Sequence, residues 1–242
     1  MKISLCQINP LIGDLSHNTA LILEAAERAK QAGCSLAVFP ELSLIGYPPK
    51  DLLERPAFIR ANLTALERLA AAVQGIHVLC GYVDRNPRDT GKALFNSVAL
   101  LSDGSILEKG GKRLLPTYDV FDETRYFEPA PQSLTFQLQE HRIGVTVCED
   151  IWNVGDLEGI PRYAQDPAAE LAALGVDVLV NISASPYTLH KRAVRRKILE
   201  KISTTHKVTT LYCNQVGGND DLLFDGSSMV VDSNGRLILQ AK

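Results

Sequence analysis

The chain reads as an α/β protein of layered mixed sheets, on three observations. Short apolar runs without polar alternation, at 36–39, 143–147 and 176–181, have the pattern of strands covered on both faces. Between such runs lie alanine-rich or amphipathic stretches of helical period. Asp103-Gly104 and Asn234-Gly235 add tight hairpins, which a purely parallel sheet does not contain.

Taken in order, 3–8 predicts a strand and 18–31 an alanine-rich helix stopped at Gly33. The run 36–39 is a second strand, and Pro56 opens a helix over 56–73 with Gly75 past its end. The period then changes: 77–82, 95–101 and 105–108 are consecutive strands. After a stretch punctuated by Pro116, Pro129 and Pro131, strand character resumes at 134–138 and 143–147. A short helix at 168–174, a buried strand at 176–181 and a basic amphipathic helix at 189–205 follow, with Val194, Ile198 and Ile202 on one face of the latter. Strands at 209–213, 228–232 and 236–240 close the chain, and Gly217-Gly218 reads as a turn. There is no internal repeat, low-complexity tract or linker, so one domain over 1–242 is expected.

A length of 242 residues, 45% hydrophobic and 22% charged, suits one large core. The net charge of −3 gives no electrostatic ground for a nucleic-acid partner. No apolar stretch approaches the roughly 20 residues of a membrane span, and the first residues lack a signal-peptide core. Five scattered cysteines without a C-x-x-C pair argue against a disulfide framework or a zinc knuckle. A cytoplasmic, enzyme-sized protein is expected.

Three residues stand where strands give out. Cys148 ends the run 143–147 and is followed by Glu149, Asp150, Ile151 and Trp152. By itself it reads equally as a small buried hydrophobe or as a nucleophile whose reactive form is the thiolate. Glu41 follows Phe39-Pro40 at the end of another run; alone it is an ordinary loop residue. Beside a thiol, a desolvated carboxylate could take its proton and pass it to a leaving amine. Lys112 follows Gly110-Gly111 and alone reads as a solvated turn residue. Beside a thiolate it would hold positive charge against an oxyanion, with the glycines allowing close backbone approach. A thiol, a carboxylate and an amine are what nucleophilic amide hydrolysis requires, provided they meet.

Other chemistries find less support. The five histidines are isolated, none at metal-ligand spacing, and a dyad of Cys148 with His190 or His206 rests on chain order alone. Neither phosphate-cradling glycine pattern occurs. The basic run Lys191-Arg192-Ala193-Val194-Arg195-Arg196-Lys197 reads as a solvated helix face.

The three segments together resemble the Glu-Lys-Cys triad of the nitrilase, or carbon–nitrogen hydrolase, superfamily: Glu41 after a strand, Lys112 in 111–118, and Cys148 in Val147-Cys148-Glu149-Asp150-Ile151-Trp152. Within it, 118–127, Asn214-Gln215-Val216-Gly217-Gly218-Asn219-Asp220, Phe224-Asp225-Gly226-Ser227-Ser228 and 46–53 look like the glutaminase domains of glutamine-dependent NAD+ synthetases, over nearly the whole chain. The resemblance implies a four-layer αββα sandwich. It implies Glu41 as general base, Lys112 as oxyanion stabiliser, Cys148 as nucleophile, and Glu123 as a second glutamate orienting the lysine. It places Tyr118, Phe121, Glu149, Ser185 and Lys191 around the glutamine. No metal or cofactor is implied here; ATP and Mg2+ would serve a partner synthetase domain, whose Ser-Gly-Gly-x-Asp-Ser loop this sequence lacks. The resemblance further implies another strand beyond Gln240-Ala241-Lys242, hence an incomplete sheet edge and a homo-oligomer. A free-standing amidase or carbamoylase of the same superfamily, or a non-catalytic ammonia-channelling domain, stays open at this point.

Overall fold

A computed structural model of the chain describes residues 1–154 and 163–242. The first half supplies β1 (Ile3–Leu5), α1 (Leu15–Gln31), β2 (Leu36–Val38), α2 (Pro56–Ala72), β3 (His77–Arg85), β4 (Leu94–Ser102) and β5 (Ser105–Gly111). These five strands form one sheet in sequence order, parallel from β1 to β3 and antiparallel from β3 to β5. The second half supplies β6 (Leu134–Leu138), β7 (His141–Val147), α3 (Pro167–Ala173), β8 (Val178–Ser183), α4 (Lys191–His206) and β9 (Thr209–Asn214). It ends with β10 (Val216–Asn219), β11 (Leu222–Asp225), β12 (Met229–Val231) and β13 (Leu237–Gln240). Its six-stranded sheet has the order β13-β12-β9-β8-β7-β6, with β7, β8 and β9 parallel and antiparallel strands on either side.

Three cores show how these parts stack. Ile22, Ala25, Leu66 and Leu69 of α1 and α2 pack with Ala37, Val78, Cys80 and Ala99 on one face of the first sheet. The other face, through Leu36, Val38, Leu79 and Val98, meets Phe136, Val145, Val180 and Leu211 of the second sheet. The far face of that sheet, through Leu179, Tyr212 and Met229, is covered by Leu171, Ile198 and Ile202 of α3 and α4. Strands buried on both faces need no polar alternation, which is why the apolar runs were readable. The order is αββα, as the resemblance implied.

Several boundaries differ from the sequence reading. β1 stops at Leu5 rather than residue 8. α1 begins at Leu15, where the Asp14 side chain accepts from His17 N at 2.9 Å and caps the helix. β5 runs through Gly110 and Gly111, so these glycines lie inside a strand. A Cβ on Gly110 would meet Leu134 N at 2.5 Å, so the glycine permits the two sheets to approach there. Gly217-Gly218 is not a turn but part of β10, paired antiparallel with β11. Gly217 has φ +118°, and a Cβ there would lie 2.0 Å from Asn9 Oδ1, so close approach selects glycine. At the C-terminal side β13 is an edge strand with Ile238 and Leu239 exposed. Among the described residues no helix is long and apolar enough to cross a membrane.

Candidate active site

Glu41 follows β2 by way of Phe39 and Pro40, in a turn laid directly on β3. A Cβ on Gly81 would sit 2.3 Å from Leu42 N and 2.7 Å from Pro40 O, so only glycine admits that turn. The Gly81 carbonyl in turn accepts from Leu44 N at 3.0 Å. The Glu41 carboxylate, fully buried, accepts from Lys112 Nζ at 2.8 Å and Asn96 Nδ2 at 2.7 Å on Oε1, and from Ala184 N at 3.0 Å on Oε2.

Lys112 is the first residue past β5. Its N–H donates to the Asn96 carbonyl at 2.8 Å, and its ammonium, contrary to the solvated-turn reading, is buried. Besides Glu41 it donates to Glu123 Oε1 at 2.7 Å, and Tyr47 OH reaches the same oxygen at 2.9 Å. Glu123 arrives on a short turn of 3-10 helix, Glu123–Arg125, within the proline-punctuated stretch.

Cys148 opens another such turn, Cys148–Ile151, at the end of β7. Its φ of +46° bends the chain sharply, a conformation a non-glycine residue adopts only under constraint. The Asn181 amide donates to its carbonyl at 3.4 Å. Asp150, fully buried in the same turn, accepts from Val147 N at 2.9 Å and from Arg113 N and Leu114 N at 2.9 and 2.8 Å.

The electrostatics couple these groups to one another. Burial pushes the Cys148 thiol well above its ordinary pKa; Glu41, Glu123 and Glu149 add to that and Lys112 opposes it. Burial by itself would depress Lys112, but Glu123, Glu41 and Cys148 outweigh it and hold the ammonium charged. Glu123 is pushed up to about 7, by burial and then by Glu41, although Lys112 pulls it down. Burial also lifts Asp150 to about 6 against three backbone N–H groups. The resting site is therefore a protonated thiol beside an ammonium that donates to both Glu41 and Glu123.

Of the residues expected around a substrate, Tyr118, Phe121, Glu149 and Lys191 lie together. Glu149 accepts from Tyr118 OH at 3.0 Å on each oxygen and from Tyr163 OH at 2.7 Å, while burial raises its pKa. Tyr118 meets Phe121 edge-on at 5.6 Å. Lys191 places Nζ 5.5 Å from the ring centres of both Phe121 and Trp152, and burial lowers its pKa. Its charge acts on both Cys148 and Glu149.

Ser185 is buried, its Oγ accepting from Arg195 Nε at 3.3 Å. Arg195 corrects the reading of the basic run as a solvated face. It is 1% exposed, pairs with Asp225 at 2.6 Å, and donates to the carbonyls of Ser185 and Pro186 at 2.8 and 3.0 Å. It escaped notice because a cation pointing inward from α4 has the same spacing as one pointing out. Asn96 also went unremarked, though a polar residue inside the apolar run 95–101 was a usable signal. Tyr163 carried none, and Tyr47 entered only as part of the resembling stretch 46–53.

A cavity of about 300 Å³ reaches Glu123 and Tyr47 from the side of Lys50, Val120 and Leu222, without Cys148 in its lining. Among the described residues no cluster of three or more His, Cys, Asp or Glu is arranged to hold a metal.

Comparison with known proteins identifies the family and the fold. The carbon-nitrogen hydrolase family profile matches residues 2–242. A glutamine-dependent NAD(+) synthetase from Synechocystis sp. is 43% identical over 240 residues, which span 98% of this chain and 43% of that protein. The structure of glutamine-dependent NAD+ synthetase from Acinetobacter baumannii in complex with ADP superposes with a TM-score of 0.87 at 37% identity, covering 99% of this chain and 43% of the other. An amidase from Nesterenkonia sp., 23% identical with a TM-score of 0.81, covers all of this chain and 86% of its own, and shares the fold. The chain thus spans about two-fifths of the length of the curated synthetases it matches.

Proposed function

This chain belongs to the carbon–nitrogen hydrolase family, and we propose that it releases ammonia from the side-chain amide of glutamine, as the glutaminase domain, residues 1–242, of a glutamine-dependent NAD+ synthetase. The observation that carries the reading is the Lys112 ammonium, buried between Glu41 and Glu123 beside the Cys148 thiol.

The chemistry follows from those groups. A thiol held protonated at rest needs a base at the moment of attack. Glu41 is that base, taking the proton as sulfur bonds to the amide carbon. The carbonyl oxygen gains charge, and the Lys112 ammonium, whose charge acts on the thiol, stabilises it. Glu41 then returns its proton to the amide nitrogen, the C–N bond breaks, ammonia leaves and a γ-glutamyl thioester remains on Cys148. Water, activated by the same carboxylate, adds to the thioester; glutamate departs and the thiol is restored. Glu123 and Tyr47 keep the ammonium oriented throughout.

Specificity for an amino-acid amide is supported by the opposed charges further out. Glu149, held by two tyrosine hydroxyls, suits an α-ammonium; Lys191, held over two rings, suits an α-carboxylate. Tyr118, Phe121 and Ser185 complete the wall. No step draws on a metal or cofactor. On this reading ATP and Mg2+ serve the synthetase domain, which uses the ammonia to amidate nicotinic acid adenine dinucleotide, and the assembly is a cytoplasmic homo-oligomer. Five free thiols agree with a reducing compartment.

The test is ammonia release from glutamine against a panel of short aliphatic amides and N-carbamoyl amino acids, read as ratios so that a low absolute rate does not matter. Glutamine is expected to lead. Faster turnover of a simple amide would overturn the glutaminase assignment within the family.

A further inference from the structure

Lys112 and Cys148 come from different sheets. Lys112 directly follows β5 of the first and Cys148 directly follows β7 of the second. Hydrogen bonds of each ladder fix strands within a sheet, whereas the core between the sheets is apolar packing without preferred direction, and the Ala184–Glu41 bond that crosses between them involves the strand of neither Lys112 nor Cys148. A reacting pair divided in this way needs a directional tie between its two halves.

We infer that Asp150 is a positioning residue, whose carboxylate clamps the strand end carrying Cys148 to the segment carrying Lys112. The inference rests on reading these two as the reacting pair. One oxygen accepts from Val147 N at 2.9 Å, the residue just before the nucleophile. The other accepts from Arg113 N at 2.9 Å and Leu114 N at 2.8 Å, the two residues just after the lysine. A local role in the Cys148–Ile151 turn would need only the first of these bonds. The other two reach back across the sheet interface, over 37 and 36 residues of sequence.

The choice of side chain follows from donor and acceptor counts. Three N–H groups converge on Asp150, so the residue must be acceptor-only, and an ionised carboxylate has lone pairs for all three. An asparagine would turn its own NH2 toward a backbone N–H at one end of the clamp. Full burial makes that mismatch costly, because no water can fill in. The conformation of Cys148, with φ +46°, is one that its surroundings must hold in place, and Asp150 supplies part of that restraint.

The experiment measures covalent labelling of Cys148 by a diazo-ketone analogue of glutamine, with Cys148→Ala as the blank. In Asp150→Asn the limiting rate is expected to fall by about tenfold or more, since displacement of about 1 Å can cost a hundredfold. The half-saturating concentration should stay within about threefold, because the substrate wall is untouched. A limiting rate within about twofold of the unaltered chain would overturn the inference, as would a shift confined to half-saturation.

Should the variant not fold, amide hydrogen exchange on the unaltered chain decides instead. The amides of residues 113, 114 and 147 should be protected and released together. Fast exchange at 113 and 114 beside a protected 147 would overturn the clamp. Failure of the unaltered chain to label at Cys148 would sink the glutaminase reading, and exchange would still report on the tie itself.

Discussion

In Glu123→Gln the side chain keeps its shape and loses its charge, which makes the electrostatic cost of the site measurable. The Glu123 carboxyl stands at about 7 instead of 4.5, through burial and the neighbouring Glu41, even with the Lys112 ammonium 2.7 Å away. The folded state therefore holds this proton more tightly than the unfolded chain does. The stability so gained is complete below the unfolded value of 4.5 and is lost as pH rises through about 7. That displacement corresponds to about 3 kcal/mol of order-of-magnitude stability.

Glutamine imitates the protonated form at every pH. Relative to the unaltered chain, the variant should therefore gain about 3 kcal/mol between about pH 5 and about pH 8, on top of a constant offset. Burial raises Glu149 and Asp150 as well. Both are present in either chain, so their slopes cancel in the difference. Urea denaturation of both proteins across that range supplies the free energies. A pH-independent difference, or one in which the variant loses ground as pH rises, would refute the reasoning; it would mean that Lys112 stabilises the ionised carboxyl beyond the cost of burying it.

Arg195→Ala should destabilise the fold by about 1–3 kcal/mol, because it removes the 2.6 Å partner of the part-buried Asp225 carboxylate and the side-chain donor to the Pro186 carbonyl. Arg195→Lys should recover only part of this in the same denaturation assay, since an ammonium cannot reproduce the planar fork. Gly81→Ala should cost about 1–3 kcal/mol by overpacking against the turn that carries Glu41, and should lower glutamine turnover more than it raises KM. Lys191→Ala should raise KM for glutamine by about tenfold or more, the worth of a charged hydrogen bond, while leaving turnover of amides without an α-carboxylate unchanged.

The layers were legible because the strands of a doubly covered sheet carry continuous apolar runs, and 143–147 could hardly have been anything else. The β10–β11 hairpin was not, because Gly217-Gly218 has turn composition, and the nearness of Asn9 to Gly217 is a contact distant in sequence. Within the site, Glu41, Lys112 and Cys148 could each be marked at a strand end, but no local pattern states that strand ends from two sheets converge. That link came from resemblance; the bonds of Lys112 with Glu41 and Glu123 stay on the side of the first sheet, and those of Glu41 with Ala184 and of Asp150 with Arg113 cross to the second. The supporting groups Asn96, Asp150 and Arg195 were hidden for a common reason. Each acts through backbone or side-chain partners tens of residues away, or on a helix face whose inward side spacing cannot identify.

Brief exposure of the chain to glutamine, followed by acid quench and intact-mass analysis with peptide mapping, would trap the acyl-enzyme that this mechanism requires. A γ-glutamyl adduct is expected on Cys148, absent from Cys148→Ala and released as glutamate on standing at neutral pH. Ammonia release without any adduct on Cys148, or an adduct on Cys6, Cys34, Cys80 or Cys213 in its place, would contradict the mechanism.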